Sequence, residues 1–519
     1  MTSPALPTSN TELDLRVLLN RASQYTVGDL LRQQVKKTPA AIAIVENDTT
    51  ITYLDFEKRV NRLANFLLAR GIKRGQRAAI LSENRGEYLE LCLAAAKIGV
   101  IMSALNCRLS TAETLHCLQL VKPAVIFLSP RYKEMYSGLG YSIELIVVFG
   151  SDYETHLATS RSHDPNVDVE LEDGLLIMYT SGTTGLPKGA LISHRAEIAR
   201  HQLSYLDHDM APGDSFVAWA PMYHITSTEH ALHILGCGGK VIIVDGADIE
   251  KIVDLAATEP QWWLALLPGM IEPVIAEAKK RHLKPARIKR IGALADLLPP
   301  HIIEEATVIF DAPYWNIYGA TEMGFLPLSK GTISVGAPSR SVSKRPNSIC
   351  RYRLVDATDS DVAVGSKGEL LFAGPSLFSG YWNALETNIE DMRGGWFHSG
   401  DVFVENSDGS YDFVDRAKYL IKSGGENIYP AEIERVLLTD IRVDEAVVVR
   451  RRDNQWGEVP VAFVVTNDPS LTADELIARC RSELAGYKRP KEIRFVSSAD
   501  DFPRSRSGKI QRHKVEEWL

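Results

Sequence analysis

The sequence predicts an α/β protein: a large N-terminal domain of layered, mostly parallel sheets with helices, a small β-barrel-like subdomain, and a small α+β domain at the C-terminus. Three observations predict it. Amphipathic helix alternates with short apolar strand from residue 26 to about 150, and the rhythm resumes at Val241. Short strands broken by Gly and Asp fill 350–420, and a compact strand and helix inventory follows residue 415. Alternation of the first kind implies parallel strands covered by helices on both faces.

Val60, Leu63, Ala64, Leu67 and Leu68 recur at helical spacing, Gly71 follows as the cap, and Arg77–Leu81 reads as a strand. Leu89–Leu105 is the most apolar stretch. Glu90, Lys97 and Gly99 interrupt it, which is too costly for a bilayer span, so it reads as a buried helix followed by a strand. Val125–Leu128 and Leu145–Phe149 read as two further buried strands. Val241–Val244 (strand), 269–281 (helix) and Ile288–Ile291 (strand) continue the series. Gly365, Gly368, Gly374, Gly394, Gly395 and Gly409 punctuate the next segment, which suits an antiparallel barrel or meander. Beyond it, Tyr429-Pro430 opens a helix with Ile433, Val436 and Leu437 on one face. Ala446–Val449 and Val461–Val465 are strands, and Thr472 with Glu475 forms a capping box. The boundaries drawn from this are 1–415 and 416–519, the second a natural size for its inventory.

At 519 residues the chain is long enough for several compact units, and 45% hydrophobic with 24% charged residues excludes wholesale disorder. The 58 Lys+Arg against 66 Asp+Glu give −8, so no bulk attraction draws nucleic acid or anionic membrane. The polar start Met1-Thr-Ser-Pro lacks the pattern of a secretory signal. Six cysteines (Cys92, Cys107, Cys117, Cys237, Cys350, Cys480) without Cys-x-x-Cys spacing argue against zinc and disulfides and for a cytoplasmic setting.

The strand Leu175–Met178 runs into Tyr179-Thr-Ser-Gly-Thr-Thr-Gly-Leu-Pro-Lys188-Gly189. Its glycines let backbone approach a ligand, its hydroxyls and N–H groups donate to phosphate oxygens, and Lys188 adds positive charge. It is not the P-loop spacing, because Gly189 follows the lysine directly. Four further segments stand out: Asn316-Ile-Tyr-Gly-Ala-Thr-Glu322, Trp396-Phe-His-Ser-Gly-Asp401, Asp415-Arg-Ala-Lys418 with Lys422-Ser-Gly-Gly-Glu-Asn-Ile428, and Pro503-Arg-Ser-Arg-Ser-Gly-Lys509.

Together, in this order, the five resemble the motifs of the adenylate-forming superfamily of acyl- and aryl-CoA synthetases, peptide-synthetase adenylation domains and luciferase, over essentially the whole chain. The resemblance implies ATP-dependent ligation of a carboxylic acid to CoA through an acyl-AMP, with ATP, Mg²⁺ and CoA as cofactors or co-substrates. It makes Thr180, Ser181, Gly182, Thr183, Thr184 and Lys188 a pyrophosphate loop, stacks Tyr318 on the purine, and sets Thr321 on the α-phosphate. Glu322 becomes the Mg²⁺ ligand, Asp401 the acceptor from both ribose hydroxyls, and Arg416 a contact to ribose or phosphate. Lys418 stands at the hinge of a mobile C-terminal lid, and Lys509 is the catalytic lysine of adenylation.

His224, in Pro221-Met-Tyr-His-Ile-Thr226, replaces the aspartate that pairs with the α-ammonium in amino-acid-activating relatives, so the acid expected is one without an α-amino group. His224, Gly292, Ala293, Met323 and Phe325 are the expected acid-binding residues. Lys422, Ser423, Gly424, Gly425, Trp456, Tyr487 and Arg489 are those expected to meet CoA. The partners implied are a small carboxylic acid, no nucleic acid and no membrane span, with a homodimer compatible. A carrier protein ranks behind CoA as acceptor, and a luciferase-like oxygenase or a non-catalytic nucleotide sensor ranks lower still.

Overall fold

Uninterrupted apolar runs become the inner strands of a six-stranded sheet. Its order is Leu145–Val148, Val125–Leu128, Arg77–Leu81, Ile101–Ala104, Gly174–Ser181 and Pro187–Ser193. The first five run parallel and the last closes a hairpin antiparallel to its neighbour. Val125–Leu128 and Ile101–Ala104 are buried along their length, as strands covered on both faces must be. Leu145–Val148, expected to be buried, lies at the sheet edge, where Ile146 is 45% exposed. The structure, a computed structural model, describes residues 10–181, 186–267, 269–337, 342–416, 419–423, 426–484, 486–504 and 510–519.

Contacts divide the chain into two units: Met1–Asp248 with Ala320–Phe325 and Pro375–Asn388, and the remainder. The first holds the sheet just described and a second one, in which Ser215–Ala218, Lys240–Ile243 and Ile42–Glu46 run parallel and Thr49–Thr52 pairs antiparallel. The helix Gly86–Ile98 is buried all round and ends where Gly99 takes φ +67°. Two of its three charges, Glu90 and Lys97, are paired inside the protein. Glu90 accepts from the Tyr153 hydroxyl at 2.6 Å and meets Arg59, and the Lys97 ammonium donates to Glu57, Asn61 and Asp164, each at 2.8 Å. Among the described residues no helix is long and apolar enough to cross a membrane.

The second unit contains the helices Ile249–Thr258, Ile271–Lys280 and Pro300–Phe310. Ile288–Ile291, expected as a strand, makes isolated parallel bridges to Gln261, Leu264 and Tyr314 rather than a continuous ladder. The Gly-punctuated segment is an antiparallel meander of Arg351–Val355, Lys367–Ala373, Phe397–Glu405 and Tyr411–Arg416. Beyond it a further sheet orders Glu426–Ile428, Ile421–Ser423, Gly457–Thr466 and Val443–Asp453, with Glu492–Val496 parallel to Gly457–Thr466. One face of this sheet packs Ile433, Leu437 and Leu476 from the helices Pro430–Leu437 and Ala473–Glu483, and the other packs Phe502 and Val515. Thr472 and Glu475 form the capping box read from the sequence.

Candidate active site

In the first unit the described part of the expected phosphate segment lies on the facing strands Gly174–Ser181 and Pro187–Ser193. Thr180 pairs with Lys188 and Ser181 with Pro187, while Gly182, Thr183 and Thr184 lie outside the described residues. The segment around Tyr381 runs along the outer side of the returning strand. Ser379 N–H donates to the Leu191 carbonyl at 2.7 Å, Leu191 N–H to Gly380 at 3.0 Å and Trp382 N–H to Gly189 at 2.7 Å. This pairing sets the Lys188 ammonium 4.9 Å from the centre of the Tyr381 ring. The hydroxyl of the same tyrosine donates to Glu322 Oε1 at 2.7 Å. The expected phosphate-loop cation and the expected metal carboxylate are therefore joined through one side chain. Sequence reasoning missed Tyr381; the signal for it was an aromatic pair directly after Gly380, a residue with φ +93°.

Glu322 and Met323 are buried, and Thr321 and Phe325 are half-buried. Arg200, from the helix His194–Leu206, donates from Nη2 to the carbonyls of Thr321 (3.2 Å) and Glu322 (3.4 Å). Phe325 N–H donates to Glu229 Oε1 at 3.1 Å, and its ring stands edge-on to His230 at 4.7 Å. His224 sits half-buried in extended backbone at the N-cap position of the helix Ile225–Cys237, its ring 4.6 Å from that of Tyr223. The helices His194–Leu206 and Ile225–Cys237 also bury a set of titratable groups. Burial pushes the Glu197 carboxyl up to about 7 and, partly offset by Glu229, pushes His233 down to about 4. Glu197 Oε1 lies 3.3 Å from His233 Nε2, whose Nδ1 meets Ser204 Oγ at 2.9 Å.

In the second unit the Tyr318 hydroxyl donates to Asp401 Oδ2 at 2.5 Å, and Arg416 Nε stands 3.0 Å from Oδ1. Both carboxylate oxygens, expected to face ribose, thus meet protein groups here. Burial, reinforced by the Asp401 charge, raises the Tyr318 phenol well above its ordinary value, so it remains a donor. Phe403 packs edge-on against the Tyr318 ring at 4.8 Å. Ser399 accepts from Asp401 N–H at 3.1 Å and donates to the Leu370 carbonyl at 2.7 Å, while His398 Nδ1 lies 3.2 Å from Glu369. At Gly292, with φ +75°, an added Cβ would fall 2.0 Å from the Tyr314 ring. Its small size makes room for that ring. The Tyr314 hydroxyl donates to the Ala293 carbonyl at 2.6 Å, so both small residues are held by an aromatic side chain.

Asp415 accepts from Ala431 N–H at 2.8 Å and so caps the helix Pro430–Leu437; burial raises its carboxyl above the ordinary range. Ser423 pairs antiparallel with Gly457, Lys422 N–H donates to Glu458 Oε2 at 2.8 Å, and Lys422 and Trp456 are both exposed. Tyr487 is exposed on the short turn Gly486–Lys488. Arg489 donates to the carbonyls of Leu484 and Arg481, both at 3.4 Å, and so closes the end of the helix Ala473–Glu483. Lys418, Gly424, Gly425 and Lys509 lie outside the described residues.

Residues 31–382 match the AMP-binding enzyme family, and residues 432–509 match the AMP-binding enzyme C-terminal domain. A feruloyl-CoA synthase from Amycolatopsis sp is 33% identical over 492 residues, spanning 93% of this chain and 97% of the relative. An indoleacetate–CoA ligase from Aromatoleum aromaticum is 31% identical over 497 residues, spanning 93% and 96%. Among solved structures, the o-succinylbenzoate CoA synthetase MenE from Bacillus subtilis, in complex with the acyl-adenylate intermediate OSB-AMP, superposes with a TM-score of 0.82 at 26% identity, over 94% of this chain and 97% of that one.

Proposed function

The chain belongs to the AMP-binding enzyme family, and from that premise we propose that it is an ATP-dependent, AMP-forming carboxylic acid:CoA ligase whose acid carries an aromatic ring and no α-amino group. Relatives named for feruloyl and indoleacetyl thioesters support the aromatic class, and His224 at the position of the amine-binding aspartate supports the absent amine. The observation that carries the reading is the run from Lys188 through Tyr381 to Glu322. It ties a phosphate-binding cation to an oxygen ligand within one unit.

The reaction needs two displacements. A carboxylate oxygen bonds the α-phosphorus while the bond to pyrophosphate breaks. A thiolate then bonds the acyl carbon while the bond to AMP breaks. The first brings anions together, so positive charge and donors fixed in advance lower its barrier. Lys188, Thr180, Ser181 and the N–H groups of 182–184 hold the leaving phosphates, and Lys509 supplies charge at the α-phosphate. Tyr318 stacks on the purine, Asp401 takes the ribose and Arg416 supports them. His224, Gly292, Ala293, Met323 and Phe325 border the acid.

The described residues contain no group of three His, Cys, Asp or Glu able to cage a metal. A single held carboxylate beside a hydroxyl fits Mg²⁺, which keeps waters and binds largely through phosphates. Glu322 would hold it, with Thr321 on the α-phosphate beside it. When bound, Mg²⁺ neutralises phosphate charge.

Rotation of residues 416–519 about Lys418 then exchanges Lys509 for the loop Lys422–Ile428, with Gly424 and Gly425 lining the thiol's path and Ser423, Trp456, Tyr487 and Arg489 meeting CoA. None of the six cysteines forms a disulfide, which suits a reducing cytoplasm.

A panel of aromatic, aliphatic and α-amino acids tests this through acid-dependent exchange of pyrophosphate into ATP, then through AMP and thioester formation with CoA or a carrier protein. Aromatic acids should support exchange without CoA and give thioester with it. Exchange with α-amino acids alone, or thioester with the carrier alone, contradicts the proposal.

A further inference from the structure

A charge outside every sequence motif is built into the turn that carries Thr321 and Glu322. Arg200 has a side chain only 1% exposed. Its Nη1 donates to Glu229 Oε2 at 3.0 Å, its Nε to the Ser376 carbonyl at 3.0 Å, and its Nη2 to the carbonyls of Thr321 and Glu322. Glu229 uses its other oxygen to accept from Phe325 N–H. The pair therefore grips the turn at both ends, residues 321–322 through the guanidinium and residue 325 through the carboxylate. Gly324 lies between them with φ +85°, and a Cβ there would come within 2.6 Å of Arg200 Nε. The turn is thus closed directly onto the guanidinium, and only a planar fork with donors on several edges reaches three carbonyls and a carboxylate together.

We propose that Arg200, held by Glu229, is the positioning residue of the Thr321–Glu322 turn: it fixes the backbone from which the Glu322 carboxylate and the Thr321 hydroxyl reach metal and phosphate, without touching either. This rests on the adenylation reading above. A ligand attached to a backbone that can shift holds its metal less tightly, because partners behind a metal ligand commonly govern affinity. Lysine at position 200 keeps the charge beside Glu229 but cannot make four directed donations. Glutamine at position 229 keeps an acceptor for Phe325 and removes the anion that orients Arg200. Arg195, on the same helix, supplies a comparison. It donates to the carbonyls of Pro375 and Leu377, gripping the neighbouring segment without reaching the turn.

The experiment titrates full-length protein with Mn²⁺ and ATP, without acid, and reads bound Mn²⁺ by electron paramagnetic resonance, alongside KM values from pyrophosphate exchange. Arg200→Lys and Glu229→Gln should each weaken Mn²⁺–ATP binding and raise the KM for Mg·ATP about tenfold, with the acid KM moving less than about twofold. Arg195→Lys should leave all three within about twofold. Wild-type binding that persists undiminished in both Arg200→Lys and Glu229→Gln overturns the assignment, and so does an equal loss in Arg195→Lys. If Arg200→Lys fails to fold, Glu229→Gln decides alone. Should the wild-type protein itself bind no Mn²⁺–ATP and catalyse no exchange with any acid, the adenylation reading fails and this inference with it.

Discussion

Replacing Tyr381 with phenylalanine removes one oxygen and leaves the ring under Lys188. That makes it a narrow test of how Glu322 is held. The lost bond is a hydroxyl donated to a carboxylate at 2.7 Å, within the range of charge-assisted bonds, between residues 8% and 9% exposed. Water screens such a bond little, and hydrogen bonds to charged groups contribute about 1.5–3 kcal/mol. If that energy keeps the carboxylate turned toward the metal, Tyr381→Phe loses roughly 10- to 150-fold in metal-dependent adenylation, at 1.36 kcal/mol per decade. The contact between the Lys188 ammonium and the ring, about 0.5–2 kcal/mol, survives in phenylalanine and disappears in Tyr381→Leu, which should lose correspondingly more. The assay is exchange of labelled pyrophosphate into ATP across a Mg²⁺ series at saturating acid, with thermal melts run alongside. A Tyr381→Phe protein with wild-type Mg²⁺ activation and rate would refute the reasoning, since Glu322 would then need no tyrosine to orient it.

Lys509→Ala should lower adenylation by about 3–4 kcal/mol while sparing thioester formation from supplied acyl-AMP; equal loss in the two half-reactions contradicts its role. Trp456→Ala should raise the KM for CoA about tenfold and leave acid-dependent pyrophosphate exchange untouched, as expected for a stacking contact used only by the thiol substrate. The Glu197 carboxyl is raised in the folded protein, so its contribution to stability is complete below its ordinary value and disappears as pH rises through about 7. Urea unfolding should accordingly show wild type losing about 2–3 kcal/mol relative to Glu197→Gln between pH 5 and 8, and parallel curves would exclude the assignment. Buried Glu434 binds half-buried Arg512 through two bonds of 2.5 and 2.7 Å and also accepts from Val448 N–H, so Glu434→Gln should cost about 3–5 kcal/mol in the same assay.

Elements whose burial repeats along the chain are legible in the amino-acid pattern alone. Val125–Leu128 reads as a strand because both its faces are covered, and Thr472 with Glu475 reads as a helix start because the cap is a local bond. Glu90 and Lys97 are legible as interruptions of an apolar run, though their partners Arg59, Tyr153, Glu57 and Asp164 are not, being distant in sequence. The same limit hides the support of the site. Arg200 lies in a helix reading His-Arg-Ala-Glu-Ile-Ala-Arg-His, where its charge looks like one of an exposed face. Its partners stand 29, 121, 122 and 176 positions away. Gly292 is expected to border the acid, and the pattern does not reveal that the Tyr314 ring, folded back onto it, occupies the place of its missing side chain. Local pattern reports how much of a residue is covered; it does not report by what.

Two buried glutamates on neighbouring helices show why the covering group decides the chemistry. Burial acts on both, raising Glu197 and Glu229. Glu229 has a guanidinium at 3.0 Å that cannot lose its proton and an N–H at 3.1 Å on its other oxygen, so the charged form is opposed by burial and favoured by two donors. Glu197 faces His233 at 3.3 Å, and that imidazole is itself held neutral by burial, so it offers no fixed positive charge in return. One carboxylate is therefore braced on both oxygens behind the Thr321–Glu322 turn, while burial raises the other to about 7. The two donors on Glu229 oppose the burial that raises it, whereas among the described residues Glu197 has no fixed cation bonded to it, and its titration accounts for a pH dependence expected in stability rather than in the chemical step.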